Sequence, residues 1–281
     1  MAKQWTERAD LALRADGQRV ADLDTSSTPG FDGDKTEGKA LLAERATVLS
    51  VLQEKLFANG RVGGQRSVLL ILQGMDTAGK GGIVRHVIGS VDPQGVDHAS
   101  FGVPTELEKQ HDFLWRIRKR LPAHGQIGVF DRSQYEDVLV VRVHDLVPES
   151  EWSKRYDQIN AFEKEITDAG TVIVKVAMFV SLDEQKSRLR ERLERPDKYW
   201  KFNPADITER AYWPEYQKAY QAVLDRTNTD YAPWYVLPSD RKWYSRLAVT
   251  ELLIGALAQL KLDWPPANFD IAEQLRRLDE S

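Results

Sequence analysis

The sequence predicts an α/β fold organised on a phosphate-binding loop, and three observations carry that prediction. A continuous apolar run, Val68 to Leu72, meets the stretch Gly74-Met75-Asp76-Thr77-Ala78-Gly79-Lys80-Gly81-Gly82, which gives way to a helical pattern at Ile83, Val84, Val87 and Ile88. Two further apolar runs, residues 127–130 and 171–180, have the length and composition of buried strands and are separated by segments of helical periodicity. The first of these ends directly on Asp131-Arg132-Ser133, where open α/β sheets hold their ligands.

The loop chemistry is specific. Glycines allow backbone angles that let successive N–H groups point at one anion, and the helix that follows adds the positive end of its dipole. Lys80 brings a full charge to the same spot. The spacing Gly74-x4-Gly79-Lys80 matches the phosphate-loop pattern, but Gly81 stands where Ser or Thr normally supplies a hydroxyl to magnesium. Asp76 is the nearest replacement, because a carboxylate inside the loop would repel a bound phosphate unless a cation lay between them. A glycine-rich turn between strand and helix can also be plain packing. Asp131 likewise reads either as a magnesium-holding residue or as a helix cap or surface turn, and its pairing with the loop favours the first.

At 281 residues the chain suffices for one large α/β domain or two small ones. A net charge of −4 and a pI near 5.8 give no global attraction to nucleic acid or acidic membranes, so a polyanion must meet a local basic patch. The absence of cysteine excludes disulfides and thiolate metal sites and agrees with a reducing compartment. The stretch MAKQWTERADLALRADG lacks the apolar core of a signal peptide, and no segment approaches a membrane span. A cytoplasmic protein without nucleic-acid or membrane partners is expected. None of the histidines shows metal-ligand spacing.

In chain order, residues 1–36 read as an extended, partly mobile arm suited to packing on a partner subunit. Residues 39–58 place Leu42, Ala46, Leu49, Leu52 and Leu56 at helical spacing, and residues 96–101 form a short strand. Thr105 and Glu108 read as a capping box for a helix over 106–121, which Pro122 stops. Residues 152–169 are helical in pattern with Ile159, Phe162, Ile166 and Ala169 inward. Ser181 and Glu184 read as a second capping box. The helix they open carries Arg188, Arg192 and Arg195 on one face and Leu182, Leu189 and Leu193 on another.

Two readings of that basic face stand. It is a solvated surface neutralised by Asp183, Glu184, Glu191 and Glu194, or a lid whose planar guanidinium donors close on phosphates. Lys186, Arg190, Lys198 and Lys201 extend its basic character. Tyr199, Trp200 and Phe202 either stack a base or anchor the lid, and the sequence does not rank these. Asp206 reads as the cap of a helix over 211–226 with Pro214 near its start, followed by a strand at 234–237, a long helix at 243–260 and a polar helical tail.

Together the stretches GMDTAGKGG, VDPQGV, PTELEKQHDFLWRIRKRLP, FDRSQYEDVLVVRVH and RPDKYWKFNPADITERAYW resemble the polyphosphate kinase 2 family, in the family's order, over residues 37–262. The resemblance implies a three-layer α/β/α P-loop kinase fold with a central parallel sheet. An arm at residues 1–36 would precede a kinase-like domain at 37–281, with a helical lid over residues 182–215. It implies phosphoryl transfer between inorganic polyphosphate and nucleoside mono- or diphosphates with Mg2+, or Mn2+ in its place, by a homo-oligomer, dimer or tetramer. Carried over residue by residue, Lys80 would contact the transferring phosphate, Asp76 and Asp131 would organise magnesium and the acceptor phosphate, and Arg132, Arg188 and Arg192 would stabilise charge. Further phosphate or nucleotide contacts are expected from Gly74, Thr77, Ala78, Gly79, Gly81, Gly82, Arg85, Glu136, Arg195, Lys198 and Lys201. YEDVLVVRVH resembles the branch that phosphorylates both AMP and ADP, with Glu136 where the ADP-preferring branch shows Asn, whereas Asp131 matches the other branches. Two alternatives remain open: an ATP-dependent nucleoside monophosphate kinase, against which Gly81 argues, and a non-catalytic polyphosphate or nucleotide sensor.

Overall fold

Five strands assemble into one sheet in the order β2-β3-β1-β4-β5, every pairing parallel, in a computed structural model that describes residues 5–281. The strands are β1 (Ser67–Gly74), β2 (Val96–Ser100), β3 (Ile127–Asp131), β4 (Thr171–Phe179) and β5 (Trp234–Pro238). β1 is the middle strand and is covered on both faces, which is why its residues 68–72 form an unbroken apolar run rather than an alternating one. Because side chains alternate along a strand, Val68, Leu70 and Leu72 enter one core and Leu69 and Ile71 the other.

The first core is closed by α1 (Lys35–Arg61), the short α2 (Lys80–His86) and, at the C-terminal end of the chain's core, a long apolar helix at Lys242–Gln259. The second lies under α3 (Glu149–Asp168) and the helix at Trp213–Thr227. With α4 (Leu182–Glu194) between them in sequence, these two become α5 (Trp213–Thr227) and α6 (Lys242–Gln259). The result is the expected three-layer α/β/α arrangement. Register places Leu72 beside Asp131 and Gly74 beside Met178, so the carboxyl ends of β1, β3 and β4 open together at one edge of the sheet.

The segment before α1 departs from expectation. Rather than an extended or partly mobile arm, it packs on its own chain: Leu13 and Phe31 are buried with α6 residues in the first core. The Ala15 N–H donates to the Trp234 carbonyl and the Val236 N–H to the Leu13 carbonyl, while Arg14 bridges Tyr235 in antiparallel fashion. The segment therefore covers the otherwise open edge of β5, which blunts it against pairing with other chains. Residues 1–4 of the expected arm lie outside the described residues.

Three capping expectations are also revised. The Thr105–Glu108 box forms, with the Thr105 N–H donating to Glu108 Oε2 at 2.7 Å. The helix nevertheless stops after the single turn Glu108–Gln110 and restarts only at Trp115–Arg118, because the Asp112 carboxylate takes the Leu114 N–H in a competing local turn. Ser181 caps α4 by accepting the Glu184 N–H, but Glu184 does not reciprocate: its carboxylate accepts from Arg188 Nε at 2.7 Å, and the Ser181 N–H donates to Asp240. Asp206 does not cap α5. It sits inside a short helix, Ala205–Glu209, and pairs with Arg192 at 3.2 Å.

A charged cluster crosses the second core. Lys175, in the middle of β4, and Glu163, on α3, are both fully buried and lie 2.6 Å apart. Lys175 Nζ also donates to the Tyr135 hydroxyl and to the Thr227 carbonyl, and Glu163 accepts from Tyr135 and Gln134, so all the lysine's donors are used. Burial pulls the Lys175 pKa down against the opposing pull of Glu163, and pushes the Tyr135 hydroxyl well above its ordinary range.

Candidate active site

The sequence between β1 and α2 folds into the loop its glycines predict. Gly79 holds φ at +114° at the helix start, and a Cβ on Gly74 would come within 2.7 Å of the Met178 carbonyl, so β4 approaches the loop too closely for any other residue. Thr77 adopts φ +67°, which costs a non-glycine residue about 1–2 kcal/mol. Its Oγ1 is buried without a hydrogen-bond partner among the described residues. Strain together with an unsatisfied polar atom in one loop residue is the condition expected where a ligand completes the bonding.

Lys80 is 8% exposed and donates to the Gly74 carbonyl at 2.6 Å and to that of Met75 at 3.4 Å. Burial lowers its pKa, while the nearby Asp131 and Asp76 carboxylates oppose that shift. Asp131, at the last position of β3, and Asp76, inside the loop, thus both bear on the lysine. Arg132, with φ +63°, turns out of β3 and donates from Nη2 to Asp76 Oδ1 at 3.2 Å.

The predicted residues converge. Asp76, Thr77, Ala78, Gly79, Lys80, Gly81, Gly82, Arg85, Asp131, Arg132, Arg188, Arg192, Arg195, Lys198 and Lys201 line one cleft of about 460 Å3. Gly74 and Glu136 line a small adjoining pocket of about 50 Å3, and Asp76 and Arg132 form part of both walls. Within this acidic chain the cleft is strongly basic. Arg246, on α6, faces it with its pKa lowered by burial and by repulsion from Arg85, so two like charges are held together where an anion would relieve them.

The three arginines expected of a lid diverge in what they do. Arg188 is buried and all its nitrogens are engaged: Nε with Glu184, Nη1 with the Thr77 and Ala78 carbonyls, and Nη2 with those of Ser239 and Asp240. It ties the phosphate loop to the β5–α6 turn and has no free N–H for a ligand. Arg192 donates from Nη1 to the Lys201 carbonyl and Asp206, which leaves other donors for the cleft it lines. Arg195 is half-exposed and held by Asp197 and Glu191. Lys201 lies 4.8 Å from the Trp200 ring centroid, and Trp200 itself is exposed at 78%, so that aromatic does not anchor the lid to the body.

Several site residues were not predicted. The small pocket holds the predicted Glu136, half-buried with its pKa raised by burial, and the unpredicted Gln73, which donates to it from Nε2 at 2.9 Å. Glu209, at the end of the short helix Ala205–Glu209, reaches the same pocket, accepting from Tyr216 at 3.0 Å and lying 3.1 Å from His144 Nε2. Gln185 of α4 donates to the Asp76 carbonyl. A lysine inside the apolar β4 run was the readable signal of the buried cluster; nothing in the sequence marked Gln185 or Arg246.

Three comparisons with known proteins agree. A family model described as Polyphosphate kinase 2 (PPK2) matches residues 32–264. An AMP/ADP-polyphosphate phosphotransferase of Meiothermus ruber is 46% identical over 243 residues, covering 86% of this chain and 90% of the relative. An ADP-polyphosphate phosphotransferase of Rhodopseudomonas palustris is 43% identical over 237 residues, 80% of this chain and 81% of the relative. The crystal structure of a polyphosphate kinase 2 from Arthrobacter aurescens superimposes with a TM-score of 0.97 at 52% identity, covering 100% of this chain and 99% of the other. With fold, loop and strand-end chemistry in accord with these matches, the chain belongs to the polyphosphate kinase 2 family.

Proposed function

We propose that this chain transfers a phosphoryl group, reversibly, from inorganic polyphosphate to AMP and ADP with magnesium. The observation that carries the reading is the cleft itself, in which a phosphate loop, two carboxylates and a crowd of cations face one space beside a small pocket walled by Glu136. The names of the Meiothermus and Rhodopseudomonas relatives support the same donor and acceptors.

Asp76 and Asp131 fit a magnesium ion. Among the described residues no group of three or more His, Cys, Asp or Glu side chains forms a complete cage. Two carboxylates that leave the remaining positions to water and substrate phosphates are the usual magnesium arrangement, and hard oxygen donors exclude a preference for softer metals. The unpartnered Thr77 Oγ1 offers a further oxygen in the same loop. When bound, the ion neutralises charge on the reacting phosphates.

The chain's own residues account for the rest. An oxygen of the acceptor's terminal phosphate attacks the end phosphorus of polyphosphate; the bond to the next bridging oxygen breaks, and that electron pair leaves on the shortened chain. The attacking oxygen is already ionised, so no general base is needed, and positioning and charge stabilisation suffice. Lys80 exchanges the Gly74 and Met75 carbonyls for the transferring phosphate. Arg132, at the boundary of the two pockets, faces both donor and acceptor, and Arg192, Lys198 and Lys201 of the lid, over about residues 182–215, meet the donor chain. Arg188 acts by holding the loop.

No helix among the described residues is long and apolar enough to cross a membrane. We place the enzyme in the cytoplasm, as a dimer or tetramer, which light scattering of the purified protein would check against its 32.0 kDa chain mass. The deciding assay offers AMP, ADP, GMP and GDP with polyphosphate or with ATP, each with magnesium. Polyphosphate-dependent formation of ADP and ATP is expected. ADP made from AMP with ATP but not with polyphosphate would replace this reading with an ordinary nucleoside monophosphate kinase, and thermal stabilisation by polyphosphate without turnover would replace it with a sensor.

A further inference from the structure

The fully buried Lys175–Glu163 pair lies outside the cleft, yet its contacts lead straight to it. The turn that leaves β3 runs Arg132-Ser133-Gln134-Tyr135-Glu136, with Arg132 and Glu136 facing the two pockets and Gln134 and Tyr135 pointing down into the second core. Both downward residues end on the pair. Gln134 Nε2 donates to Glu163 Oε1 at 3.0 Å, the Tyr135 hydroxyl donates to the same oxygen at 2.8 Å, and Lys175 Nζ donates to that hydroxyl at 2.9 Å. Trp234 closes the site edge-on to the Tyr135 ring, at 4.7 Å between centroids.

Two physical arguments give this arrangement a task. A buried ion pair adds little stability over apolar residues of similar volume, so its place in an otherwise apolar core calls for a reason other than stability. Arg132, meanwhile, sits at φ +63°, a conformation that a non-glycine residue keeps only where its surroundings over-determine it. The downward side chains two and three residues on supply that determination, because they fix the turn from below in a single register.

We infer that Lys175 and Glu163 are positioning residues for phosphoryl transfer, which clamp Gln134 and Tyr135 so that Arg132 and Glu136 are held toward donor and acceptor. The clamp works through geometry and touches neither substrate. This inference rests on the proposed function for its kinetic readout alone; its structural readout, the conformation of Arg132, does not depend on which nucleotide is used.

The test compares native enzyme with Tyr135→Phe, which removes one hydroxyl, and with the double variant Glu163→Leu/Lys175→Met, which removes both charges and leaves no unpaired ion. Each is also combined with Arg132→Ala. Expected for both clamp variants is a fall of roughly tenfold or more in kcat, with the KM for polyphosphate within about twofold of native, as for loss of an oriented group. Arg132→Ala should then cost several-fold less in the clamp variants than in the native enzyme, because the guanidinium is already misplaced. A structural role alone would leave the two effects multiplicative. Native-like kcat, strictly multiplicative effects, or a crystal structure of Tyr135→Phe in which Arg132 keeps its positive φ and its contact with Asp76 would overturn the inference. If the double variant does not fold, Tyr135→Phe decides by the same cycle. Absence of polyphosphate-dependent transfer in the native enzyme would instead sink the functional reading, and the crystal structure would still judge the clamp.

Discussion

Replacing Arg188 by lysine separates two tasks that the sequence leaves fused. A phosphate-binding arginine would tolerate the change in part, because the charge survives; a strut would not. Arg188 reaches the Thr77 and Ala78 carbonyls with one nitrogen and those of Ser239 and Asp240 with another, while Nε holds Glu184. A single lysine ammonium reaches one of the two loops, so the bonds to the other are lost at a buried site. Hydrogen bonds from a charged group contribute about 1.5–3 kcal/mol each, which puts the loss of the two bonds at about 3–6 kcal/mol. In a domain of this size that lowers Tm by roughly 6–12 °C, at about 2 °C per kcal/mol. Differential scanning calorimetry measures it, alongside kinetics at several salt concentrations. The KM for polyphosphate should keep its native salt dependence while kcat falls at least about tenfold, since the loop that carries Lys80 loses its tie. An unchanged Tm with a raised polyphosphate KM and a flatter salt dependence would refute the strut and return Arg188 to direct phosphate binding.

Three further outcomes follow from the cleft. Asp76→Asn and Asp131→Asn should each lower turnover by about a hundredfold or more, as expected for a lost electrostatic element, and should raise the magnesium needed for half-maximal rate; a native magnesium titration in either variant removes that residue from the metal site. The Lys80 ammonium must be charged to hold phosphate, and its pKa lies below the 10.5 of an ordinary lysine because of burial. Accordingly kcat/KM for polyphosphate should be complete on the acid side of that lowered pKa and lost as pH rises through it. A profile flat up to the ordinary lysine range would contradict this. Arg192→Ala should raise the polyphosphate KM and weaken its salt dependence, one charged contact having gone, and unchanged salt dependence would restore the solvated-face reading of α4.

The inner strands of the sheet were legible because they are buried on both faces. An unbroken apolar run such as residues 68–72 has one stable placement, the middle of a covered sheet, and the Asp-Arg step after Phe130 marks where β3 ends. Local pattern failed where two local signals competed. The Thr105–Glu108 box forms, but Asp112 turns the chain before a helix can use it, and core contacts begin only at Phe113, Leu114 and Ile117. The first residues misled for a different reason. Their composition is polar and glycine-rich, yet Leu13 and Ala15 pair with the edge of β5 and Phe31 packs on Trp243, long-range contacts with no local periodicity to announce them.

The site shows the same division, and Thr77 marks its limit. Residue types and spacing identified the loop, both carboxylates and the basic face, whereas the pairing of Arg188 with backbone carbonyls depends on three-dimensional approach alone. Gly81 was read as a missing hydroxyl; a Cβ there would meet nothing within 4 Å, so packing does not demand the glycine. The unpartnered hydroxyl lies instead at Thr77, four positions earlier, on a residue strained at φ +67°. Thr77→Val keeps the shape and the strain and removes only that hydroxyl. A buried, unsatisfied polar atom costs about 1–3 kcal/mol, so the valine variant should be more stable by about that amount while its turnover falls. Stability that drops, or turnover that is unaffected, would show that the Thr77 hydroxyl has no part in binding phosphate or magnesium and that the loop works through its backbone, Lys80 and Asp76 alone.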